Sequence, residues 1–469
     1  MATKLRPRER DAIIQSLRSG VTPRTGFQYI QVGRVKEIAA IIQDIDRVAD
    51  GGATIKLVIG DFGAGKSFFL QLVKNIALEK GLVTMSADLS PERRLQSANG
   101  LALNLYQELT RNTSTRAKPD GNALNSIVEK FISLARDEAD TKGLETHELI
   151  KDKLRVLNDY VGGYDFAQVI LAYWQGFKDG DEDRMNNAIK WIRGEYATKV
   201  TARQDLKVHT IVNDASTYDF YKLLSGFVQL AGYKGLLINL DEMVNLYKIP
   251  NSRSRTTNYE QLLRIINDCL QGNVHGLGFV MGGTPDFLED PRRGLFSYDA
   301  LRTRLASNSF ALIAGINDFS GPVMCLSSLT PEEVYVLLCN LRNVFAYYNP
   351  DKYLVPDEAL TQFLEHCSKH IGDAYFKTPR NTIKHFVDFL AVIEQNPEID
   401  WRQLLKSVNI TAEHEDALED DINEAPSLRD TPNNKNEPTK SFAQAKAQPN
   451  DADDEDDEDD EDDLSSFTL

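Results

Sequence analysis

Short apolar runs recur along the chain, each bounded by glycine, proline or charged residues. Runs of this length without polar alternation are typical of strands that are buried on both faces, as in a parallel sheet. Helical patterns lie between successive runs, which favours an α/β fold. We therefore predict a core of five parallel strands. The predicted strands lie at 57–59, 82–88, 235–240, 276–283 and 322–327.

The helical patterns divide the chain into five predicted segments. An N-terminal helix and arm occupies 1–28, and the α/β core takes 29–96 and 231–329. Residues 97–230 are mostly helical in pattern, and they are far longer than an ordinary connection within a parallel sheet. We interpret them as a helical insertion that makes substrate or partner contacts. A helical lid is predicted at 330–410 and a disordered acidic tail at 411–469.

The stretch before the first core helix has an extended, strand-like pattern. Residues 29–37, Tyr-Ile-Gln-Val-Gly-Arg-Val-Lys-Glu, are interpreted as a strand-like segment. An amphipathic helix follows, with Ile38, Ile41, Ile42 and Ile45 on its apolar side.

Composition adds expectations about location. The chain is 42% hydrophobic and 26% charged, and no run approaches the roughly 18 apolar residues that a membrane helix needs. The N-terminus lacks the apolar core of a signal peptide. We expect a cytoplasmic protein that does not contact a membrane.

The net charge of −17 is concentrated in the tail. Acidic and basic residues cancel over 1–410, whereas 451–463 holds twelve acidic residues in thirteen positions. Residues 464–469, Leu-Ser-Ser-Phe-Thr-Leu, then form an apolar tip. The tail is either a solubilising segment or a peptide that docks in a basic-rimmed apolar pocket of a partner.

A glycine-rich turn follows the first predicted strand and opens a helix. Gly60-Asp-Phe-Gly-Ala-Gly-Lys-Ser has the pattern G-x-x-x-x-G-K-[ST] in the strand-to-helix context that a phosphate-binding loop requires. Its backbone N–H groups are expected to surround phosphates, with Lys66 reaching the β- and γ-phosphates and Ser67 ligating Mg²⁺. The sequence therefore predicts binding of a nucleoside triphosphate. The predicted nucleotide-binding residues here are Gly60, Asp61, Phe62, Gly63, Ala64, Gly65, Lys66, Ser67 and Phe68.

Two carboxylates end the third predicted strand. Asp241 and Glu242 stand at its C-terminal end, where ligands of open α/β sheets bind. Asp241 suits the magnesium shell, and Glu242 suits a base that orients the water attacking the γ-phosphate. This pair makes hydrolysis of the triphosphate the expected reaction.

Other candidates follow the fourth predicted strand. Thr284 is placed either to hydrogen-bond the γ-phosphate or attacking water, or simply to cap the strand. Four arginines lie within 292–304, and among them Arg302 and Arg304 are candidates for arginine fingers acting in trans, the alternative being a solvated basic loop. Arg380, at the start of a lid helix, could reach back to the phosphates.

The order of these motifs resembles a known family. The segments 18–23 (Arg-Ser-Gly-Val-Thr-Pro), 32–34 (Val-Gly-Arg), 60–67, 90–93 (Ser-Pro-Glu-Arg), 240–242 and 283–285 (Gly-Thr-Pro) are followed by the arginine-rich stretch 293–305. Together they resemble the ATP-binding family of bacterial BREX phage-resistance systems, the BrxC/BrxD type, over roughly residues 10–400.

The resemblance implies an AAA+-like P-loop ATPase in a cytoplasmic defence system. By analogy Gly33 and Arg34 lie near the adenine, Thr284 is a first sensor and Arg380 a second. Related initiators carry a DNA-binding winged helix after the lid. The predicted tail leaves no room for one, which makes any nucleic-acid contact indirect or non-specific.

Three functions follow from these expectations. ATP binding and hydrolysis could drive assembly or switching of a nucleic-acid-directed complex, with the chain acting as a homo-oligomer. Alternatively the chain is a nucleotide-gated adaptor with negligible turnover, which recruits a helicase or nuclease through its tail. The third reading is a DNA-stimulated translocating ATPase.

Overall fold

The computed structural model describes residues 5–371 and 379–407. Its centre is a five-stranded, all-parallel sheet, which confirms the α/β prediction. The strands run in the order β2-β3-β4-β1-β5 across the sheet. Their bounds are β1 (Ala53–Ile59), β2 (Val83–Asp88), β3 (Leu236–Asp241), β4 (Leu277–Gly283) and β5 (Val323–Cys325).

Helices make up most of the remaining described chain. From the N-terminus through the core to the end of the fourth strand they are α1 (Pro7–Arg18), α2 (Phe27–Ile30), α3 (Val35–Ala49), α4 (Lys66–Glu79), α5 (Leu101–Arg111), α6 (Leu124–Lys142), α7 (Thr146–Leu154), α8 (Gly163–Asp179), α9 (Glu182–Ile192), α10 (Lys199–Leu206), α11 (Thr217–Leu230), α12 (Val244–Tyr247) and α13 (Ser252–Gln271). After β4 they are α14 (Pro285–Glu289), α15 (Asp299–Leu305), α16 (Ser309–Ala314), α17 (Pro331–Phe345), α18 (Asp357–Ile371), α19 (Pro379–Gln395) and α20 (Trp401–Ser407). Short 3₁₀ turns lie at Arg155–Asp159, Leu295–Ser297 and Pro350–Lys352.

The sheet is buried on both faces, and successive strand residues point to opposite sides. In β1, Leu57 faces a large core shared with α13, whereas Val58 faces the smaller core formed by α3 and α4. Both side chains are fully buried. Because both faces are packed, both sets of side chains in a strand are largely apolar, which explains the uninterrupted apolar runs in the sequence.

The helices α5–α11 lie within residues 97–230, where a helical insertion was predicted. They do not form a separate core, because Phe131, Phe166 and Trp191 belong to the same buried cluster as Leu57 and Met85 of the sheet. This segment covers one face of the sheet. The five segment boundaries and the partner role of the insertion stay predictions.

A second core joins the N-terminal helix to helices of the predicted lid. Ile13 of α1 packs with Leu338 of α17 and Phe386 of α19. Arg10 is buried, forms an ion pair with Glu394, and donates from Nε to the carbonyl of Phe345 at 3.1 Å. The N-terminal helix is therefore part of the lid's packing.

The strand-like segment expected at 29–37 is wrong. Its first two residues end the short helix α2, which starts after Gly26 in the left-handed conformation at φ 82°, and its last three begin α3. Residues 31–34 between them form neither helix nor strand. Phe27 and Ile30, three residues apart, are buried, and this helical spacing outweighs the apparent alternation of Tyr29, Gln31 and Gly33.

A buried lysine links three parts of the core. Lys56 in β1 is 2% exposed, and its Nζ donates to the carbonyls of Phe319 and Gly321 at 2.9 and 2.6 Å. Nζ also lies 3.1 Å from Oδ2 of Asp44 in α3. The lysine thereby fixes the turn before β5 and the helix α3 to the central strand.

Within 5–371 and 379–407, no helix is long and apolar enough to cross a membrane.

Candidate functional site

The predicted phosphate loop connects β1 to α4. Gly63 and Gly65 adopt φ values of 74° and 88°, a left-handed conformation that strongly favours glycine. Gly65 is the N-cap of α4, so the helix begins at Lys66. The loop thus presents backbone N–H groups and the positive end of a helix dipole to one cavity.

The lysine side chain of the phosphate loop is bonded to the loop's own backbone. Lys66 Nζ donates to the carbonyls of Gly60 and Asp61, each at 2.8 Å, and lies 5.3 Å from the centre of the Phe62 ring. Burial lowers the pKa of Lys66, against the attraction of Asp241 and other carboxylates. Gly60 and Asp61 supply carbonyls to the lysine, whereas Phe62 to Phe68 line the cavity.

The predicted magnesium ligands are in direct contact. Ser67 Oγ donates to Oδ2 of Asp241 at 2.6 Å. Asp241 ends β3, and Gly282 of the neighbouring β4 leaves room for its carboxylate. A Cβ at Gly282 would lie 2.5 Å from Oδ1 of Asp241. Hydroxyl and carboxylate oxygens are ligands that suit Mg²⁺.

The chemistry of this donor set fits magnesium bound together with a nucleotide. Among the described residues, no three His, Cys, Asp or Glu side chains form a cation site of their own. A magnesium ion here would therefore depend on phosphate oxygens for much of its coordination, which is usual for this ion.

Glu242 is held in an uncommon backbone conformation. Its φ is 56°, although it is not glycine, and such residues cluster at functional sites. Its N–H donates to Asp241 Oδ1 at 2.8 Å, and its carbonyl accepts from the N–H of Asn245 at 3.0 Å. Burial raises the pKa of Glu242, and the charges of Asp241 and Asp88 raise it further.

Asp88 is a site residue that the sequence reasoning missed. It ends β2, pairs in register with Asp241 of β3 and lines the cavity. Burial, then the charge of Asp241, raises the pKa of its carboxyl. The signal that could have found it is a carboxylate at the end of a strand adjacent to the Asp241 strand.

Thr284 is buried at the end of β4, and it lines the cavity. Its hydroxyl accepts from the N–H of Phe287 at 3.3 Å and so caps α14. The hydroxyl thus caps a helix, whereas the capping alternative expected it to cap the strand. The hydroxyl keeps its own proton to donate, so the sensor role of Thr284 stays a prediction.

The cavity has a volume of about 500 Å³, within the usual range for a small-molecule site. Its polar end is the phosphate loop with Asp88, Asp241 and Glu242. Its other end is mostly apolar, and sequence reasoning did not find it. The apolar residues there are Leu17, Val21, Pro23, Ile30, Val32, Ile38, Leu329, Leu337 and Ile383.

Arg34 contacts the phosphate loop and lies near Glu333 of α17. It has φ 59°, and its Nη2 donates to the carbonyl of Ala64 at 2.6 Å. Burial lowers the pKa of Arg34, an effect opposed by Glu37 and by Glu333 of α17. A Cβ at Gly33 would overlap the Glu333 carboxylate. The guanidinium thus contacts the phosphate loop, and its closeness to an adenine stays a prediction.

The three other predicted arginines fall in two places. Arg380 begins α19 beside Gly20 and lines the cavity. Arg302 donates to the carbonyl of Phe296, and Arg304 to Asn267 and the carbonyl of Ala300. Neither Arg302 nor Arg304 lines the cavity, so any contact with a nucleotide would have to be made in a second copy.

Comparison with known proteins gives one result. The family model described as "BREX system ATP-binding protein BrxC/D" matches residues 5–409. No curated protein matches the chain.

Proposed function

This chain belongs to the family of BREX system ATP-binding proteins BrxC/D, and from that membership we propose that it is an ATPase of a phage-defence system. The family name identifies the bound nucleotide as ATP. The observation that carries hydrolysis is the Ser67–Asp241 contact with Glu242 beside it, at the polar end of a cavity of nucleotide size. Binding alone does not require a second carboxylate at that position.

The triphosphate would lie along the phosphate loop. Backbone N–H groups of the loop and the start of α4 hold its oxygens, and Lys66 exchanges the loop carbonyls for the β- and γ-phosphates. Magnesium, when bound by Ser67 and Asp241, neutralises charge on those oxygens.

Glu242 is the proposed base. Its raised pKa makes it more basic than an exposed glutamate, and its backbone is fixed through Asp241 and Asn245. It would orient the attacking water and take its proton, a contribution of about a hundredfold or more to the rate. Thr284 would donate to the γ-phosphate or to this water.

The apolar end would take the base of the nucleotide. It combines the N-terminal segment with helices α17 and α19, so ATP would touch both the sheet and the lid. Arg34 and Arg380 also line this cavity. Hydrolysis would then change lid contacts and drive assembly or switching of a larger complex.

The strand order supports an AAA+-like, ASCE-type core. β4 is inserted between β1, which precedes the phosphate loop, and β3, which ends in the two carboxylates. Proteins of this type commonly act as oligomers, and we propose that this chain does so. The acidic tail lies outside the described residues, and its proposed partner is a helicase or nuclease of the same complex.

Phosphate release from ATP and magnesium tests the proposal. Parent protein is expected to release phosphate continuously, and Glu242→Gln about a hundredfold more slowly or less. Glu260→Gln, an exposed glutamate on α13, is the matched control and should keep the parent rate. Equal rates for Glu242→Gln and parent would refute the role of Glu242. A parent that binds ATP without releasing phosphate would favour the nucleotide-gated adaptor.

A further inference from the structure

A cluster of positive side chains lies just beyond Glu242 along the chain. We call it the arginine patch, and it comprises Lys248, Arg253, Arg255, Arg292 and Arg293. The first three follow α12 and begin α13, and the other two follow α14. Lys248, Arg253 and Arg292 are exposed.

Two guanidiniums of the patch share one acceptor. Arg255 Nη1 and Arg293 Nη2 donate to the carbonyl of Ile249 at 2.7 and 3.4 Å. Arg293 Nη2 also donates to the carbonyl of Tyr247 at 3.2 Å, while its buried Nε has no hydrogen-bond partner. The guanidiniums of Arg255 and Arg293 are therefore held close together by a neutral carbonyl group. The Nε–H of Arg293 remains an unused donor.

Carboxylates neutralise the patch only in part, since the charge of Lys248 acts to lower the pKa of Glu242 and that of Arg292 the pKa of Asp290. Within the described ranges, none of its five members forms an ion pair. The nearby Asp290 accepts from the backbone N–H groups of Arg292 and Arg293 at 2.7 and 3.2 Å and from the hydroxyl of Tyr247 at 2.9 Å. These bonds, together with the charge of Arg292, lower the pKa of Asp290, and its hydrogen bonds are made within the loop.

Two further features favour an anionic ligand. The N-terminus of the 20-residue helix α13 opens into the patch, with Asn251 as its cap and Arg253 in its first turn. The Tyr247 ring lies 5.4 Å from the Arg293 guanidinium. Arginines combined with an aromatic ring suit phosphates that have bases beside them.

We propose that the arginine patch binds the phosphate backbone of nucleic acid. Its charges are spread over two chain segments on the surface and lie outside the cavity, which suits several phosphates in a row better than one small anion. The contact would be independent of base sequence, because nothing in the patch is arranged to discriminate base edges. The inference goes beyond the proposed ATPase activity, and binding at the patch does not require hydrolysis.

The patch is joined to the ATP site by a short backbone segment. The carbonyls that hold Arg255 and Arg293 belong to Tyr247 and Ile249, five and seven positions after Glu242. Phosphates that draw the guanidiniums of Arg255 and Arg293 away from these carbonyls would release the segment. Its other end holds Glu242 through the Asn245 N–H. Nucleic acid at the patch would therefore alter the rate of ATP hydrolysis.

Fluorescence anisotropy of labelled DNA with the full chain, without nucleotide, tests the binding. Probes of about 30 nucleotides, single-stranded and duplex, would be titrated at about 50 and 200 mM salt. The double variant Arg253→Ala/Arg292→Ala removes two exposed side chains and is expected to weaken binding of either probe roughly tenfold, with a salt slope smaller by about 2. Arg136→Ala/Arg203→Ala, on the exposed surface of α6 and α10, is the charge-matched control and should bind as the parent does.

Equal affinity and equal salt slope for the parent and the patch variant would overturn the proposal. The chain's own acidic tail is the other anion that could bind the patch, and a labelled peptide of residues 451–469 tests for it. Binding of that peptide to the patch, with no binding of either DNA probe, would also overturn it. Because no step needs ATP, these outcomes are independent of whether the chain hydrolyses it.

Discussion

Ser67 Oγ donates a hydrogen bond of 2.6 Å to Oδ2 of Asp241, although 174 positions separate the two residues in the chain. The serine begins the helix after β1, and the aspartate ends β3. The parallel strands bring their carboxyl ends to the same edge of the sheet, and the two oxygens meet there. This contact brings together the two groups that would bind magnesium.

Removal of the Ser67 hydroxyl should uncouple magnesium from ATP. Ser67→Ala is expected to lower magnesium affinity by at least the roughly tenfold to hundredfold that loss of an outer-shell partner costs a metal site. Titration calorimetry with ATP, with and without magnesium, measures the effect. Ser67→Thr keeps the hydroxyl and should behave as the parent does. If magnesium strengthens ATP binding equally in Ser67→Ala and parent, Ser67 is not a ligand.

Gly282 should be needed for the position of the Asp241 carboxylate. In Gly282→Ala, the new Cβ would lie 2.5 Å from Oδ1 of Asp241 and 2.9 Å from the Leu70 side chain. Hydrolysis should fall by about a hundredfold, as expected for a displacement near 1 Å, while ATP still binds. Gly321→Ala is the control, since its Cβ would meet no atom within 4 Å. Parent-like hydrolysis by Gly282→Ala would show that the carboxylate position is not critical.

The phosphate loop, Asp241 and Glu242 could be located from the sequence because each is local, while their roles stay predictions. A phosphate loop is one contiguous turn, and Asp241 and Glu242 follow directly after one strand. Their meeting needed only the rule that parallel strands end together. Asp88 obeys the same rule, but the order of strands was needed to place it beside Asp241.

The apolar half could not be predicted in the same way. Leu17, Leu337 and Ile383 come from three helices that are far apart in the chain and meet only in the second core. Each has the spacing of an ordinary buried residue. Helix packing, which no local pattern encodes, decides that one side of this core opens to the cavity.

Lys56 should contribute strongly to stability because its charge is buried. Lys56→Met removes the buried one of the two cations that pair with Asp44, the other being the exposed Arg47. It also frees the carbonyls of Phe319 and Gly321, and we expect the fold to be destabilised by about 3 kcal/mol. Lys80→Met is the control, because Lys80 pairs with Asp46 at 2.7 Å at a partly exposed site, where such pairs are worth about 0–1 kcal/mol. Urea denaturation midpoints compare the two, and equal midpoints would contradict the account.

Arg302 and Arg304 should act on the site of a neighbouring copy. The double variant Arg302→Ala/Arg304→Ala is expected to bind ATP normally and hydrolyse it roughly a thousandfold more slowly. Mixing it with Glu242→Gln should restore activity, because one variant supplies intact arginines and the other an intact site. Size-exclusion chromatography should show a larger species with ATP and magnesium.

The control for complementation is each variant mixed with itself at the same total concentration. Absence of any recovered activity, together with an unchanged size on ATP binding, would place these arginines outside the reaction. Their contacts with Phe296, Asp299, Asn267 and Ala300 would then be structural only.

The nucleotide retained by the protein tests hydrolysis at this site most directly. Parent, Glu242→Gln and Lys66→Ala would be incubated with ATP and magnesium, separated from free nucleotide and quenched in acid, and the bound nucleotide identified by chromatography. The parent should carry ADP, Glu242→Gln should carry intact ATP, and Lys66→Ala should carry neither. Intact ATP on the parent after long incubation, or ADP on Glu242→Gln at the parent's rate, would contradict a Glu242-dependent ATPase.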